Sequence, residues 1–287
     1  MTSPLLDGGA VASARDQWDR AAAGWNEHGP AIRAWLTHAT AAMISMAGVT
    51  SGSRVLDVAA GAGDQSLAVA KMVGPKGSVL ATDVSPQILA YAELNARSAG
   101  YRTIAVKVTD GVSLDVPPES FDAVVCRLGL MFFPSPLDGL RDMFQALRPG
   151  GGACTVVFAE PSVNPCLSIL MQTALRRAGL PPRDPFAPGA LTSLGKPGHI
   201  DELFRQAGFQ HVATTRLNAP FRAPAVGRYL EFVRSAAGPI LEILETLDAA
   251  GREAAWCDIE EQLRIYDTPE GWVGPNQLLL TAGRKPL

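Results

Sequence analysis

The chain has 287 residues, of which 47% are hydrophobic and 18% are charged. This balance is typical of a compact domain with a full core and excludes a disordered chain. The 25 basic and 28 acidic residues give a net charge of −3. Because no basic run is present to follow a phosphate backbone, we expect no nucleic-acid partner.

Residues 1–14 lack the charged and apolar segments of a secretory signal, and no apolar run approaches the roughly 18 residues that span a membrane. We therefore expect a cytoplasmic protein with no membrane partner. The four cysteines lie far apart and show no metal-ligand spacing. We predict free thiols and no metal site.

The N-terminal segment, residues 1–48, is predicted to be a helical lid. Large apolar side chains, among them Trp18, Trp25 and Trp35, recur within residues 13–47 at roughly helical spacing. This pattern predicts one or two helices laid over the domain that follows.

Residues 49–160 alternate between strand-like and helix-like segments, which is typical of a parallel sheet with crossover helices. The predicted strands are Arg54–Val58, Ser78–Thr82, Thr103–Val108, Phe121–Cys126 and Ala153–Phe158. The predicted helices are Gln65–Val73, Pro86–Ser98 and Leu137–Leu147. We therefore predict an α/β fold with a Rossmann-like, doubly wound, mostly parallel sheet of seven strands.

The remaining residues first depart from this alternation and then return to it. Residues 161–197 are predicted to be a helical insertion, with a helix over Pro165–Ala178 and then a Pro/Gly-rich stretch. Residues 198–287 are predicted to complete the sheet and to carry a helical cap over residues 225–266. The predicted elements beside the cap are a helix, His199–Ala207, and two strands, Val212–Leu217 and Gln277–Ala282. Apolar residues Ile240–Leu247 leave two arrangements open, packing on the same domain or a homodimer.

The sequence VLDVAAGAGD at residues 55–64 predicts a buried strand that ends in a Gly-x-Gly turn before a helix. Glycines at positions 61 and 63 let the backbone pass close to a ligand at the carboxyl edge of the sheet. Ser66 stands where the dinucleotide fingerprint has its third glycine. This replacement disfavours a nicotinamide cofactor.

A second signal is Asp83, which follows the next predicted strand twenty residues past Gly63. A carboxylate in this place accepts hydrogen bonds from both hydroxyls of a ribose. The alternative is that Asp83 only caps the helix that opens at Ser85 and Pro86. The glycine turn and the acid together favour an adenosine ligand.

Four motifs in order, VLDVAAGAGD (55–64), ATDVSPQIL (81–89), SFDAVVCRLGLMFF (120–133) and LRPGG (147–151), carry a family resemblance. Over residues 50–160 the chain resembles class I S-adenosylmethionine-dependent methyltransferases, in particular the branch of the ubiquinone/menaquinone-biosynthesis C-methyltransferases. The resemblance implies S-adenosyl-L-methionine as cofactor and methyl transfer as activity.

The same resemblance implies roles for individual residues. It places Asp57, Ala59 and the turn from Gly61 to Gly63 around the methionine part of the cofactor, Asp83 on the ribose, Val84 against the adenine, and Asp110 with Gly111 at the adenine amino group. It also places Arg127 and Leu128 on the path between methyl donor and acceptor. For Arg127 the alternative is a charge that extends to the rim of the site.

Two residues are candidates for a general base. His28 lies in a turn-like break between the N-terminal helical segments, and its alternative is an exposed turn histidine. Glu160 follows the fifth predicted strand at the functional edge of the sheet, and its alternative is a loop carboxylate in water.

The acceptor site is predicted from large apolar side chains near the cofactor motifs. We expect Trp18, Trp25, Met131 and Phe132 to contact the substrate, although such residues are often core. They favour a small, largely apolar or aromatic metabolite with a C, O or N acceptor, methylated mainly through proximity and desolvation. Two alternatives are an NAD(P)-dependent oxidoreductase and an S-adenosylmethionine-binding protein that catalyses a non-methylating reaction.

Overall fold

The structure is a computed structural model that describes residues 8–109 and 113–287, with side chains from Ala14 onward. The helices are α1 Gly8–Glu27, α2 Gly29–Ala47, α3 Asp64–Val73, α4 Pro86–Ser98, α5 Pro136–Ala146, α6 Pro165–Arg177, α7 His199–Gln206, α8 Val226–Ala236, α9 Gly238–Glu245 and α10 Ala249–Leu263. The strands are β1 Arg54–Val58, β2 Ser78–Asp83, β3 Ile104–Val108, β4 Phe121–Arg127, β5 Leu147–Phe158, β6 Gln210–Asn218, β7 Phe221–Ala223, β8 Asp267–Thr268, β9 Gly271–Gly274 and β10 Gln277–Arg284.

A seven-stranded sheet in the order β3-β2-β1-β4-β5-β10-β6 forms the centre of the fold. The first five strands are parallel, and β10 runs antiparallel to both of its neighbours. The prediction of a Rossmann-like, mostly parallel sheet of seven strands is therefore confirmed. Since the strand order reverses direction between β1 and β4, a crevice opens there at the carboxyl ends of the strands.

The parallel strands form because their residues are apolar and buried from both faces. In β4, for example, Ala123 through Cys126 are fully buried between the helical layers. The predicted strand at Ala153 begins earlier in the structure, because Leu147 already pairs with Phe121 and the register then shifts past the Pro/Gly segment.

The N-terminal helices lie over the sheet and its carboxyl edge. Helix α2 packs on β5 and β10, whereas α1 bridges α4 and α8. Pro30 stands in the first turn of α2, and Gly48 ends that helix in the left-handed conformation.

A second apolar cluster lies beside the sheet and joins α6, α8, α9 and α10. It includes a small antiparallel sheet in the order β7-β9-β8, which the sequence analysis did not predict. Trp272 on β9 is 1% exposed and stacks on Tyr229 of α8 with ring centroids 4.6 Å apart. The cluster forms a cap over the carboxyl edge of β5. None of the helices in the described ranges is long and apolar enough to cross a bilayer.

Candidate active site

A cavity of about 610 Å³ opens at the carboxyl ends of β1, β2 and β4, beneath α1 and α2. Its volume lies in the range of small-molecule and cofactor sites. Residues predicted to bind the cofactor that line it are Ala59, Gly61, Asp83, Val84, Arg127 and Leu128. We call this space the first cavity.

The turn after β1 depends on close backbone packing. Ala59, Gly61 and Gly63 have φ angles of 55°, 57° and 86°, which turn the chain sharply between β1 and α3. A Cβ at Gly63 would lie 3.0 Å from the Cα of Ala92 in α4. The glycine therefore lets α4 approach and leaves a cradle for a ligand above the turn.

Gly129 makes a similar approach on the other side of the crevice. A Cβ there would lie 2.3 Å from the Cβ of Ala59, a distance that real side chains do not reach. The segment after β4 therefore packs directly on the turn after β1. Neighbouring Leu128 has a φ of 58° and lines the first cavity.

Asp57 lies beneath the turn rather than in the cavity wall. Its side chain is fully buried and accepts hydrogen bonds from Gln65 Nε2 and Ser66 Oγ, both at 2.5 Å. Burial raises the pKa of Asp57 to about 7. Asp57 thus ties the start of α3 to β1 and shapes the turn from inside.

Asp83 lies at the end of β2 and lines the first cavity. Its Oδ2 accepts from the backbone N–H of Gly61 at 3.0 Å, and its Oδ1 accepts from that of Ser85 at 3.1 Å. Burial raises the pKa of this carboxyl to about 6. A carboxylate has about four lone-pair positions, so two remain for hydroxyls of a ligand.

The cap of α4 is Ser85, not Asp83. Ser85 Oγ accepts from the N–H of Ile88 at 3.0 Å and donates to the carboxylate of Asp19 in α1. Asp19 also accepts from the N–H of Gln87 at 3.4 Å. The pair fastens α1 to the N-terminus of α4 and leaves the carboxylate of Asp83 available to the cavity.

Arg127 is buried and doubly paired, not extended to the rim. Its side chain donates to Thr40 Oγ1 at 2.6 Å and to Asp64 Oδ2 at 2.9 Å. Asp64 also accepts from Arg33 Nε at 2.8 Å. The sequence analysis missed Asp64, Thr40 and Arg33. Asp64 and Thr40 lie 63 and 87 positions from Arg127, and Arg33 lies 31 positions from Asp64, so these side chains meet only in the fold.

Asp110 and Gly111 lie outside the described residues. The preceding Thr109 lines the first cavity, and its N–H donates to the carbonyl of Asp83 at 2.9 Å. This bond holds the end of β3 against the end of β2.

A second, smaller cavity of about 90 Å³ lies between the sheet and the cap. Four side chains line both spaces and form a partition between them, namely Trp18, Trp25, Leu128 and Phe132. Trp18 packs edge-on against Phe132 with ring centroids 5.3 Å apart. Of the predicted substrate residues, Met131 is fully buried in the core and lines neither cavity.

Both candidate bases lie outside the two cavities. The ring of His28 packs on Phe232 with centroids 5.6 Å apart. Glu160 accepts from Arg216 Nη1 at 2.9 and 3.0 Å, and this bond lowers the pKa of its carboxyl. Among the described residues that line the second cavity there is no Asp, Glu, His, Lys or Arg. The sequence could not show that His28 packs on Phe232 or that Glu160 pairs with Arg216.

Residues 33–174 match the ubiE/COQ5 methyltransferase family. The ubiquinone/menaquinone biosynthesis C-methyltransferase UbiE of Pseudomonas aeruginosa (strain LESB58) is 32% identical over 122 residues, which are 42% of this chain and 48% of that protein. The chain thus spans about half the length of the curated relatives it matches.

Two solved structures share the fold. The YcgJ protein of Bacillus subtilis superposes with a TM-score of 0.58 at 19% identity, over 88% of this chain and 99% of that one. The [4+2]-cyclase SpnF superposes with a TM-score of 0.56 at 21% identity, over 94% and 97% of the two chains.

The sheet order, the glycine turn and the acid at the end of β2 are the features on which this chain resembles the class I S-adenosylmethionine-dependent methyltransferases. Within the class it is similar to the ubiE/COQ5 methyltransferases. The family match confirms the prediction of S-adenosyl-L-methionine as cofactor, and the cradle above the turn, together with the free lone pairs of Asp83, fits that group.

Proposed function

We propose that this protein transfers the methyl group of S-adenosyl-L-methionine to a small, largely apolar or aromatic metabolite. The observation that carries the proposal is the pair of adjoining cavities separated by one layer of side chains. The first has the polar groups that a nucleoside needs, and the second is walled by aromatic and aliphatic side chains. A donor and an acceptor held in the two spaces would come into contact where the side chains of the partition move apart.

The residues of the first cavity supply orientation. The carboxylate of Asp83 would accept from the ribose hydroxyls, while the turn at Ala59 to Gly63 holds the methionine part. When bound, the cofactor supplies a methyl group on a sulfonium, whose S–C bond electrons stay on sulfur as the acceptor's lone pair forms the new bond. Arg127 is paired with Asp64, which partly offsets its repulsion toward the sulfonium.

The partition and the cap exclude water and align the acceptor. Because no charged side chain lines the described part of the second cavity, we propose that proximity and desolvation supply most of the acceleration. A base is not required when the acceptor atom already carries an available lone pair. A nitrogen acceptor can carry such a lone pair, whereas a carbon or hydroxyl oxygen acceptor also releases a proton, which would pass to solvent because no charged side chain lines the described part of the second cavity. We further propose a cytoplasmic protein whose partner is a small molecule, and leave a homodimer to direct measurement.

Calorimetric titration with S-adenosylmethionine, S-adenosylhomocysteine and NADH tests the cofactor. We expect the first two to bind and NADH not to bind, and Asp83→Ala to abolish binding while the protein stays folded. Incubation with S-adenosylmethionine and a panel of small aromatic compounds then tests the activity. The expected products are S-adenosylhomocysteine and an acceptor heavier by one CH₂, both seen by mass spectrometry. Cofactor that binds but is never consumed, while an acceptor is converted, would establish a non-methylating reaction instead.

A further inference from the structure

Four buried side-chain polar atoms in the described residues have no hydrogen-bond partner, and two of them belong to residues that line the second cavity. They are Nε1 of Trp25 and Oδ1 of Asn276. The other two, on Thr103 and Thr155, belong to residues that line neither cavity. An unpaired buried polar atom costs free energy, so a native protein retains one mainly where another molecule completes it.

Comparable side chains beside these two are fully paired. Trp35 lines the same cavity, but its Nε1 donates to the carbonyl of Ala219 at 2.7 Å. Asn164 uses its amide to donate to Ala159 and Gln277 and to accept from the N–H of Gln277 at 2.9 Å. In this region, therefore, the fold gives hydrogen-bond partners to the polar side-chain atoms of a tryptophan and an asparagine that have a structural role.

The backbone around Asn276 is held in place. Its carbonyl accepts from the N–H of Ala219 at 2.8 Å, and the carbonyl of the next residue, Gln277, accepts from Ala159 at 3.0 Å. Pro275 precedes Asn276 and restricts the chain further. The backbone of Asn276 is thus fixed at the wall of the second cavity.

The volume of the second cavity and the charge of its lining residues limit the class of ligand that it can bind. A volume of about 90 Å³ is smaller than that of a cavity of about 150 Å³, which holds benzene, so a single ring is the largest group that fits and its entry would push the walls apart slightly. An ionised ligand there would lose water without meeting an opposite charge among the described lining residues. The walls are closed by fully buried side chains such as Ile240 and Leu170, so larger groups would displace the cap.

We infer that the methyl acceptor is an uncharged molecule of about one ring whose hydroxyl or equivalent group donates to Asn276 Oδ1 and accepts from Trp25 Nε1. This inference rests on the proposed function for the identity of the site. Trp25 also belongs to the partition, so its N–H would hold the acceptor next to the first cavity. Asn276 and Trp25 are the specificity-determining pair.

The test compares para-cresol with toluene, two ligands of similar shape that differ by one hydroxyl. Each is titrated calorimetrically into protein saturated with S-adenosylhomocysteine, whose own binding is measured first. We expect the wild-type protein to bind para-cresol at least about tenfold more tightly than toluene. In Asn276→Leu, which replaces the amide by an apolar side chain of the same branching, the ratio should fall to within about twofold of unity.

Trp25→Phe removes the N–H together with the five-membered ring of the indole and should lower the ratio several-fold. Trp35→Phe is the matched control, because its N–H is already bound by Ala219 and the ratio should not change. Circular dichroism checks that each variant is folded, and the wild-type and Trp25→Phe ratios stand without Asn276→Leu if that variant does not fold.

Equal affinities in the wild type, no binding of either ligand, or a ratio that survives both substitutions would overturn the inference. A failure of S-adenosylhomocysteine to bind would instead overturn the proposed function. The two failures are therefore separate, because the cresol titration is repeated without the cofactor product.

Discussion

Asn in place of Asp83 keeps the shape of the side chain and removes its charge. The wild-type carboxylate accepts from the N–H groups of Gly61 and Ser85 and has two further lone pairs toward the first cavity. The amide of Asn has only one acceptor atom, so at least one charge-assisted bond to the ribose or the turn is lost. Such a bond contributes about 1.5–3 kcal/mol, which predicts cofactor binding about 10- to 150-fold weaker at pH 7.

The raised pKa of Asp83 also predicts that cofactor affinity falls at acid pH. Because the pKa of Asp83 is raised to about 6, the group is ionised above that pH, and affinity should be flat from pH 7 to 8. Below pH 6 the proton competes with the ribose hydroxyls, and affinity should fall about tenfold for each pH unit. Asp83→Asn carries no titrating group at this position, so its cofactor affinity should not show this fall below pH 6.

Calorimetric titration of S-adenosylhomocysteine between pH 5 and 8 measures both effects, with thermal unfolding of each protein as the control for folding. Asp57 also has a raised pKa, about 7, so the difference between the wild type and Asp83→Asn isolates the contribution of Asp83. The assignment of Asp83 to the ribose would be refuted if Asp83→Asn lost less than threefold in cofactor affinity at pH 7. It would also be refuted if affinity fell equally below pH 6 in both proteins.

Three further predictions concern the framework of the site. Asp57→Asn should gain thermal stability relative to the wild type as the pH rises from about 4 through 7. The folded-state pKa of Asp57 is raised to about 7, so in this range Asp57 ionises in the unfolded chain first, which favours unfolding of the wild type alone. An unchanged difference in melting temperature across that range would contradict this. Gly129→Ala should weaken cofactor binding and lower the melting temperature, because its Cβ would lie 2.3 Å from that of Ala59. The matched control is Gly227→Ala, which has open space around it in the first turn of α8. This control should leave cofactor binding unchanged and leave the melting temperature unchanged or raise it. Asp19→Ala removes the acceptor that fastens α1 to α4 and should cost about 1–2 kcal/mol in denaturant unfolding, and a loss below about 0.3 kcal/mol would count against that contact.

The central sheet could be predicted from sequence because its strands are short apolar runs bounded by turn residues. Arg54–Val58 was predicted with the bounds that the structure has. The small sheet β7-β9-β8 could not be predicted, because strands of two to four residues such as Asp267–Thr268 are too short to show any alternation. Their pairing depends on the cap, which brings Phe221 opposite Gly274 across more than fifty positions.

The residues of the site likewise divide into those that could be predicted from sequence and those that could not. Asp83 and the glycine turn were found because their signals lie within one strand-turn-helix unit. Asp64 and Asn276 were missed, since a polar residue next to a helix start or a strand start has an ordinary local explanation, and only the fold brings Arg127 to the first and a cavity to the second. Partnership between distant side chains is a tertiary property that no local pattern carries.

The position of β10 has a consequence for biosynthesis. Residues 277–284 are the last strand of the sheet in chain order, yet they lie between β5 and β6. On the ribosome, the nascent chain therefore presents two unpaired strand edges until these residues emerge. Such edges are templates for association with other chains. Cells that make this protein would rely on fast insertion of β10, or on a chaperone that covers the gap, to keep newly made chains apart.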